Sequence, residues 1–277
     1  MKIVVSGLGI IGASVCASLR AAGYTVYGKN RGRDALEYAL EHGYIDGEAT
    51  TYEDADVVFL ALPPDITMRE LDTAIFQDGA IVADICGIKG LIEDVVYSKP
   101  RNYRYVGTHP MAGKETSGVR SASATLFRGA NLILTRHEKT DEKAFQTVKD
   151  LTVQMGFGYL LECSAAVHDK KIAITSQLAH IVANAYAKSD EAQDCGGFTG
   201  GSFQDMTRIA GVDEAMWTQL YFCNRENLLF ELEGLVERLG KYRDALAQND
   251  EGKMKDLLRE GRILHETSKK KREKISD

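Results

Sequence analysis

One histidine, one glycine run and a handful of arginines are the residues of this chain best suited to chemistry. His109 lies in Gly107-Thr108-His109-Pro110-Met111-Ala112-Gly113, directly after a short β-rich run. An imidazole titrates near neutrality and suits removal of the proton from an alcohol undergoing oxidation. Taken alone, a histidine in such a position is more often structural than a base. Gly7-Leu8-Gly9-Ile10-Ile11-Gly12 follows the first apolar run. In a strand–turn–helix context its spacing is that of a dinucleotide-binding loop. Gly7 permits the tight turn, Gly9 lets the backbone approach a pyrophosphate, and Gly12 lets helix and strand pack closely. Helix N-terminal amides then face the phosphates.

The residue after the second strand selects the nucleotide. A carboxylate there would accept hydrogen bonds from a ribose 2′-hydroxyl. The chain reads Gly28-Lys29-Asn30-Arg31-Gly32-Arg33, with Asn30 in that place. Without the carboxylate's repulsion, Arg31 and Arg33 can pair with a 2′-phosphate, so NADP is expected over NAD. Solvated surface arginines are the alternative. Leu62, Pro63 and Lys89 complete the expected cofactor set.

Positioning these groups requires alternating elements. β-rich runs at 2–6, 25–27, 57–62, 80–83, 103–107, 132–135 and 159–161 are separated by amphipathic stretches such as 33–42, 91–97 and 142–155. Crossover connections of this kind imply a largely parallel sheet covered on both faces. Beyond about residue 162 the strand signal stops and long helical patterns follow at 165–188, 214–243 and 251–274, interrupted by a glycine-rich stretch at 194–202. The expected fold is an α/β Rossmann domain, 1–162, followed by an all-α C-terminal dimerisation domain, 163–277, with the ligand site in the cleft between them. Within the helix at 165–188, spacings of three and four put Ser176, Gln177, His180 and Asn184 on one polar face.

The chain has 277 residues and a formal net charge of −6. A basic nucleic-acid footprint is therefore not expected. The five cysteines, widely spaced with no C-x-x-C pair, predict reduced thiols and neither disulfides nor a metal site. The opening Met1-Lys2-Ile3-Val4-Val5 reads as a strand, so a signal peptide is not expected, nor is a membrane span. The cytoplasm is the default location. The basic run at 269–274 reads as a solvated helix end.

Six pieces, in order, resemble the prephenate and arogenate dehydrogenases: GLGIIGAS at 7–14, DICGIKG at 84–90, GTHPMAGKETSG at 107–118, AVHD at 166–169, SQLAH at 176–180 and FQDMTRIA at 203–210. The resemblance implies oxidation of a cyclohexadienol with loss of carbon dioxide and transfer of hydride to NAD(P), as in tyrosine biosynthesis. It implies His109 as the residue handling the ring hydroxyl and Arg208 as the cation for a substrate carboxylate. Glu115 would orient or gate that arginine, a solvated loop glutamate being the alternative. His180 would line the site, and Gln177, where some members carry a second histidine, would face the substrate's keto or amino acid side chain. A homodimer through the C-terminal helices is implied, with a small molecule as the other partner.

One position departs from the family pattern. Its substrate-binding serine falls at Gly87, preceded by Cys86, so water or the Cys86 thiol would have to replace that hydroxyl. No regulatory or chorismate mutase domain is expected after the last helix. Two other readings keep the glycine loop: a β-hydroxyacid dehydrogenase or imine reductase, and a NADP-sensing protein without turnover.

Overall fold

Strand residues buried on both faces read as unbroken apolar runs, and the centre of this protein is made of them. The computed structural model describes residues 1–114 and 116–276. Its first elements are β1 (Lys2–Ser6), α1 (Ile10–Ala21), β2 (Thr25–Lys29), α2 (Arg33–Glu41), β3 (Gly47–Glu48), β4 (Val57–Leu60), α3 (Pro64–Thr73), β5 (Ile81–Asp84), α4 (Gly90–Tyr97), β6 (Arg104–Met111), β7 (Asn131–Thr135), α5 (Glu142–Gln154) and β8 (Tyr159–Cys163). Every residue of β4 and β5 is buried, as expected for a sheet sandwiched between helices. Along β1 the side chains alternate between two cores. Ile3 and Val5 join Val15, Leu19 and Phe145 on one side, while Val4 joins Leu71, Ile92 and Val96 on the other.

The strand order is β3-β2-β1-β4-β5-β6-β7-β8, parallel throughout except between β6 and β7. The direction of winding reverses between β1 and β4, the crevice where open α/β sheets bind ligands. The dinucleotide loop leaves β1 at this point. β6 pairs with β5 only as far as Gly107 opposite Asp84, then continues beside β7 alone. His109 and Pro110 thus lie where the strand has one neighbour, which is where a strand tolerates proline.

The expected strand at 57–62 ends at Leu60, because Pro63 and Pro64 start α3. The helical pattern at 165–188 is divided into α6 (Ala165–Ile172), a π-helical turn at Ala173–Gln177, and α7 (Leu178–Tyr186). Next come α8 (Asp190–Gln193), α9 (Gly201–Thr207), α10 (Glu214–Cys223), α11 (Arg225–Ala247) and α12 (Glu251–Ser276). The pattern at 214–243 is thus two helices, interrupted at Asn224, whose buried amide donates to the Asp169 carbonyl at 2.8 Å. Side-chain caps start several elements: Ser164 accepts from Val167 N–H, and Asp213 from Met216 N–H.

Met1–Asn227 forms one compact unit, so α6 to α10 belong with the sheet, and Leu228 begins a second. In the second unit Phe230, Leu239, Leu246, Leu258 and Leu264 are exposed on helices that carry few buried side chains of their own. No helix among the described residues is long and apolar enough to cross a membrane.

Candidate active site

The turn after β1 is shaped by what its glycines exclude. Gly7 has φ +91°, and a Cβ there would strike the Ala61 carbonyl; a Cβ at Gly12 would strike the Gly7 carbonyl. Around Gly9, by contrast, nothing lies within 4 Å of the place a Cβ would take. Gly9 caps α1 without a side-chain hydrogen bond, so amides of the first turn, around Ile10 and Ile11, remain for an anionic ligand. The Leu62 side chain lies beside Gly7, and Pro63 is exposed. These residues fit the pyrophosphate of a dinucleotide.

Asn30 turns toward that loop. Its Oδ1 accepts from Leu8 N–H at 3.0 Å, and its Nδ2 donates to Gly32 O at 3.0 Å. The amide thus braces the glycine turn at the place where a carboxylate would meet the ribose. The two arginines differ. Arg33 is committed to Glu48 at 2.7 Å and Glu37 at 3.4 Å, which counters its expected role at a 2′-phosphate, since the two carboxylates already answer its charge. Arg31 is exposed and has no ion pair or side-chain hydrogen bond with the described residues.

At the ends of β5 and β6 lies a buried charged knot. Asp84 is fully buried and receives the Lys89 ammonium, Tyr105 Oη–H at 2.6 Å and Cys86 N–H at 2.8 Å. Lys89, expected at the cofactor, is itself fully buried in this pair and holds the loop between β5 and α4. That loop presents Gly87. A Cβ on Gly87 would sit 3.7 Å from His109 Nε2 and 3.4 Å from Leu220 of α10. The Cys86 thiol faces the other way, toward Leu62 O and Thr67 Oγ1 at 3.3 Å each, so it does not replace the missing hydroxyl. Burial, reinforced by the charge of Asp84, pushes it up to about 12 and leaves no thiolate at neutral pH.

His109 is half-buried, and its other nitrogen is engaged. Nδ1 lies 2.9 Å from His168 Nε2, and His168 Nδ1 lies 2.7 Å from Asp169 Oδ1. Asp169 also accepts from Lys89 N–H at 2.9 Å and Gly90 N–H at 2.7 Å, closing the start of α4. A Cβ at Gly90 would press on that carboxylate at 2.9 Å. Burial holds His109 well below the usual histidine range, helped by the charges of His168 and Lys89. Burial also lowers His168, against the opposing pull of Asp169. His168 and Asp169 carry no periodic signal. The AVHD piece was the only pointer to them.

α10 links His109 to the helical side. Trp217 and Leu220, three residues apart, share one face. Leu220 approaches Gly87, while Trp217 packs against His180 with ring centroids 3.9 Å apart and planes tilted by 36°. Gln177 is not with them. It is buried, donating to Leu220 O at 3.0 Å and accepting from Asn224 Nδ2 at 2.8 Å. Gln177 closes the π-helical turn, and its two amide bonds reach the junction of α10 and α11, whereas His180, three residues on in α7, meets Trp217. Both ends of the Gln177 amide are thus satisfied within the fold. Arg208 is exposed just after α9. Asn184 Nδ2 donates to Ala210 O at 3.1 Å, which pins this segment to α7. Glu115 lies outside the described residues.

A doubly wound sheet, a glycine turn open to a pyrophosphate and an imidazole at a strand end define an oxidoreductase that uses a nicotinamide dinucleotide. Residues 15–158 match the family model of the prephenate dehydrogenase nucleotide-binding domain, and residues 164–260 that of the prephenate dehydrogenase dimerization domain. The chain belongs to the prephenate dehydrogenase family. It is 29% identical over 263 residues to the prephenate dehydrogenase of Bacillus subtilis (strain 168), covering 90% of this chain and 71% of that protein. The prephenate dehydrogenase of A. aeolicus, solved with hydroxyphenyl propionate and NAD+, superposes with a TM-score of 0.84 at 29% identity, over 96% of this chain and 98% of that one. The arogenate dehydrogenase of Synechocystis superposes with a TM-score of 0.79 at 25% identity, over 97% and 100% of the two chains.

Two expectations follow from this geometry. Because His109 and His168 are both held below the ordinary 6.5, the unfolded chain binds protons first as pH falls. Stability is therefore lost from about pH 6.5 downward, by up to about 1.4 kcal/mol per pH unit for each imidazole. Urea midpoints between pH 7.5 and 5 should show this slope, and His109→Asn should flatten it. Gly87→Ser meets only ordinary contacts, so it should fold with an unchanged melting temperature. Its hydroxyl beside His109 Nε2 should raise kcat several-fold, and a lower kcat would mean that substrate itself fills that space.

Proposed function

We propose that this protein catalyses the oxidative decarboxylation of prephenate to 4-hydroxyphenylpyruvate, with NADP preferred over NAD, as a homodimer paired through its C-terminal helices. The reading rests on one observation above the others: His109 directs Nε2 at the gap beside Gly87 while its Nδ1 is occupied by His168. One nitrogen is thus available to a substrate hydroxyl. When bound, the nicotinamide ring supplies the acceptor for the hydride of the carbinol carbon. His109 Nε2 takes the hydroxyl proton as that carbon becomes a carbonyl. Carbon dioxide then leaves with its bonding electrons staying in the ring, and the proton returns to the phenolate oxygen. Aromatisation drives the sequence, so the protein's main contributions are alignment and custody of one proton. Arg208 binds a substrate carboxylate, for which a planar guanidinium is suited. His180, packed against Trp217, walls the ring.

Similarity to an arogenate dehydrogenase favours a second substrate, the amino acid analogue. With Gln177 occupied inside the fold, the choice between the two side chains falls to other groups. The cofactor preference rests on Arg31, the cation beside Asn30 that no carboxylate among the described residues neutralises.

Purified protein mixed with prephenate or arogenate and either cofactor should produce reduced-nucleotide absorbance with prephenate and NADP. Turnover with arogenate alone would transfer the assignment to the second substrate. No turnover in any combination, with dinucleotide binding intact, would overturn the reading. Arg31→Ala should raise KM for NADP about 10- to 100-fold, the scale of one charge-assisted contact of about 1.5–3 kcal/mol, and leave that for NAD unchanged.

A further inference from the structure

The neutral imidazole of a general base has one lone pair, and which nitrogen carries it decides whether the base works. We propose that Asp169, acting through His168, fixes His109 as the Nδ1–H tautomer and so keeps the lone pair on Nε2. This rests on the reading of His109 as the base.

The direction of the chain follows from its end. A carboxylate only accepts. Asp169 already accepts from the backbone N–H groups of Lys89 and Gly90, and its Oδ1 stands 2.7 Å from His168 Nδ1. That contact is favourable only if His168 carries its proton on Nδ1. His168 Nε2 is then an acceptor, and at 2.9 Å from His109 Nδ1 it requires that nitrogen to bear the proton. Nε2 of His109 is left bare, toward Gly87. His168 is 1% exposed, so water does not compete for either bond, and the order of protons cannot be reversed without setting a donor against a donor or lone pair against lone pair.

The anchoring is stiff. Asp169 is held by the α4 backbone on one side, and its own carbonyl accepts from Asn224 Nδ2 on the other. His168 is buried behind His109, and Asp169 behind His168. They are positioning residues, and a role in packing alone would not select a tautomer.

The test reads the tautomer directly. The chain has six histidines, and ¹⁵N-histidine labelling with long-range ¹⁵N–¹H correlation spectra at pH 8 resolves each ring, with His109→Asn assigning the His109 signals. Wild type should show His109 protonated on Nδ1. Asp169→Asn offers His168 an amide donor, so His168 should switch to Nε2–H and His109 should follow. With it kcat should fall on the order of 10³-fold, the scale of a misdirected histidine, while KM for prephenate changes less than threefold. His168→Gln should preserve the order, its carbonyl accepting from His109 and its amide donating to Asp169. It should retain at least a tenth of kcat, and His168→Leu should not. Should Asp169→Asn fail to fold, this Gln–Leu pair decides the matter. Wild-type His109 protonated on Nε2, an Asp169→Asn spectrum with His109 unchanged, or equal kcat for the Gln and Leu variants would overturn the proposal. Full turnover by His109→Asn would instead remove His109 as the base, a separate failure that leaves the tautomer result standing.

Discussion

A buried carboxylate must be answered by donors, and in this protein the answer given to Asp84 organises everything around it. Its partners arrive from three places: the Lys89 ammonium from the loop that leads into α4, the Tyr105 hydroxyl from β6, and the Cys86 amide from the loop itself. Removing one member of such a pair costs about 3–5 kcal/mol because the other is left charged in an apolar interior. The loop is therefore not free to drift from the ends of β5 and β6. Gly87 is carried on that loop, and its distance to His109 is inherited from this arrangement. Lys89 also links the knot to Asp169, through its backbone amide, so a second carboxylate extends the same scaffold to α6 and to α10 through Asn224.

The parts legible in the sequence were those whose signal is local. Three glycines at fixed spacing after a strand identify the turn at Gly7, and a histidine closing a β-rich run identifies the rim position of His109. Alternating strands and helices followed by helices alone identify the Rossmann sheet and the helical remainder. Each of these depends on neighbours within about ten residues. What could not be read depends on distant partners. Lys89 looks like any loop lysine until Asp84 is found beneath it. Arg33 looks available to a phosphate until Glu48, on a two-residue strand too short to predict, is found beside it. His168 and Asp169 are ordinary helix residues until β6 and α4 pack against them.

Gln177 shows a different kind of failure. Its spacing from His180 predicts a shared face, but its amide is satisfied by Leu220 and Asn224, distant partners that no local pattern reveals. No residue type marks a π-helical turn. Ala-Ile-Thr-Ser-Gln is compatible with a regular helix, so the turn itself is not legible in the sequence.

That turn has a consequence for how sites of this kind can diverge. A segment holding one surplus residue can lose it and become a regular helix. The loss would rotate everything downstream by about 100°, carrying His180 off Trp217 and Asn184 off Ala210 in a single event. Chain length within Ala173–Gln177 therefore sets the directions of His180 and Asn184. A relative with a one-residue gap at this point would have a remodelled pocket even if every pocket side chain were identical.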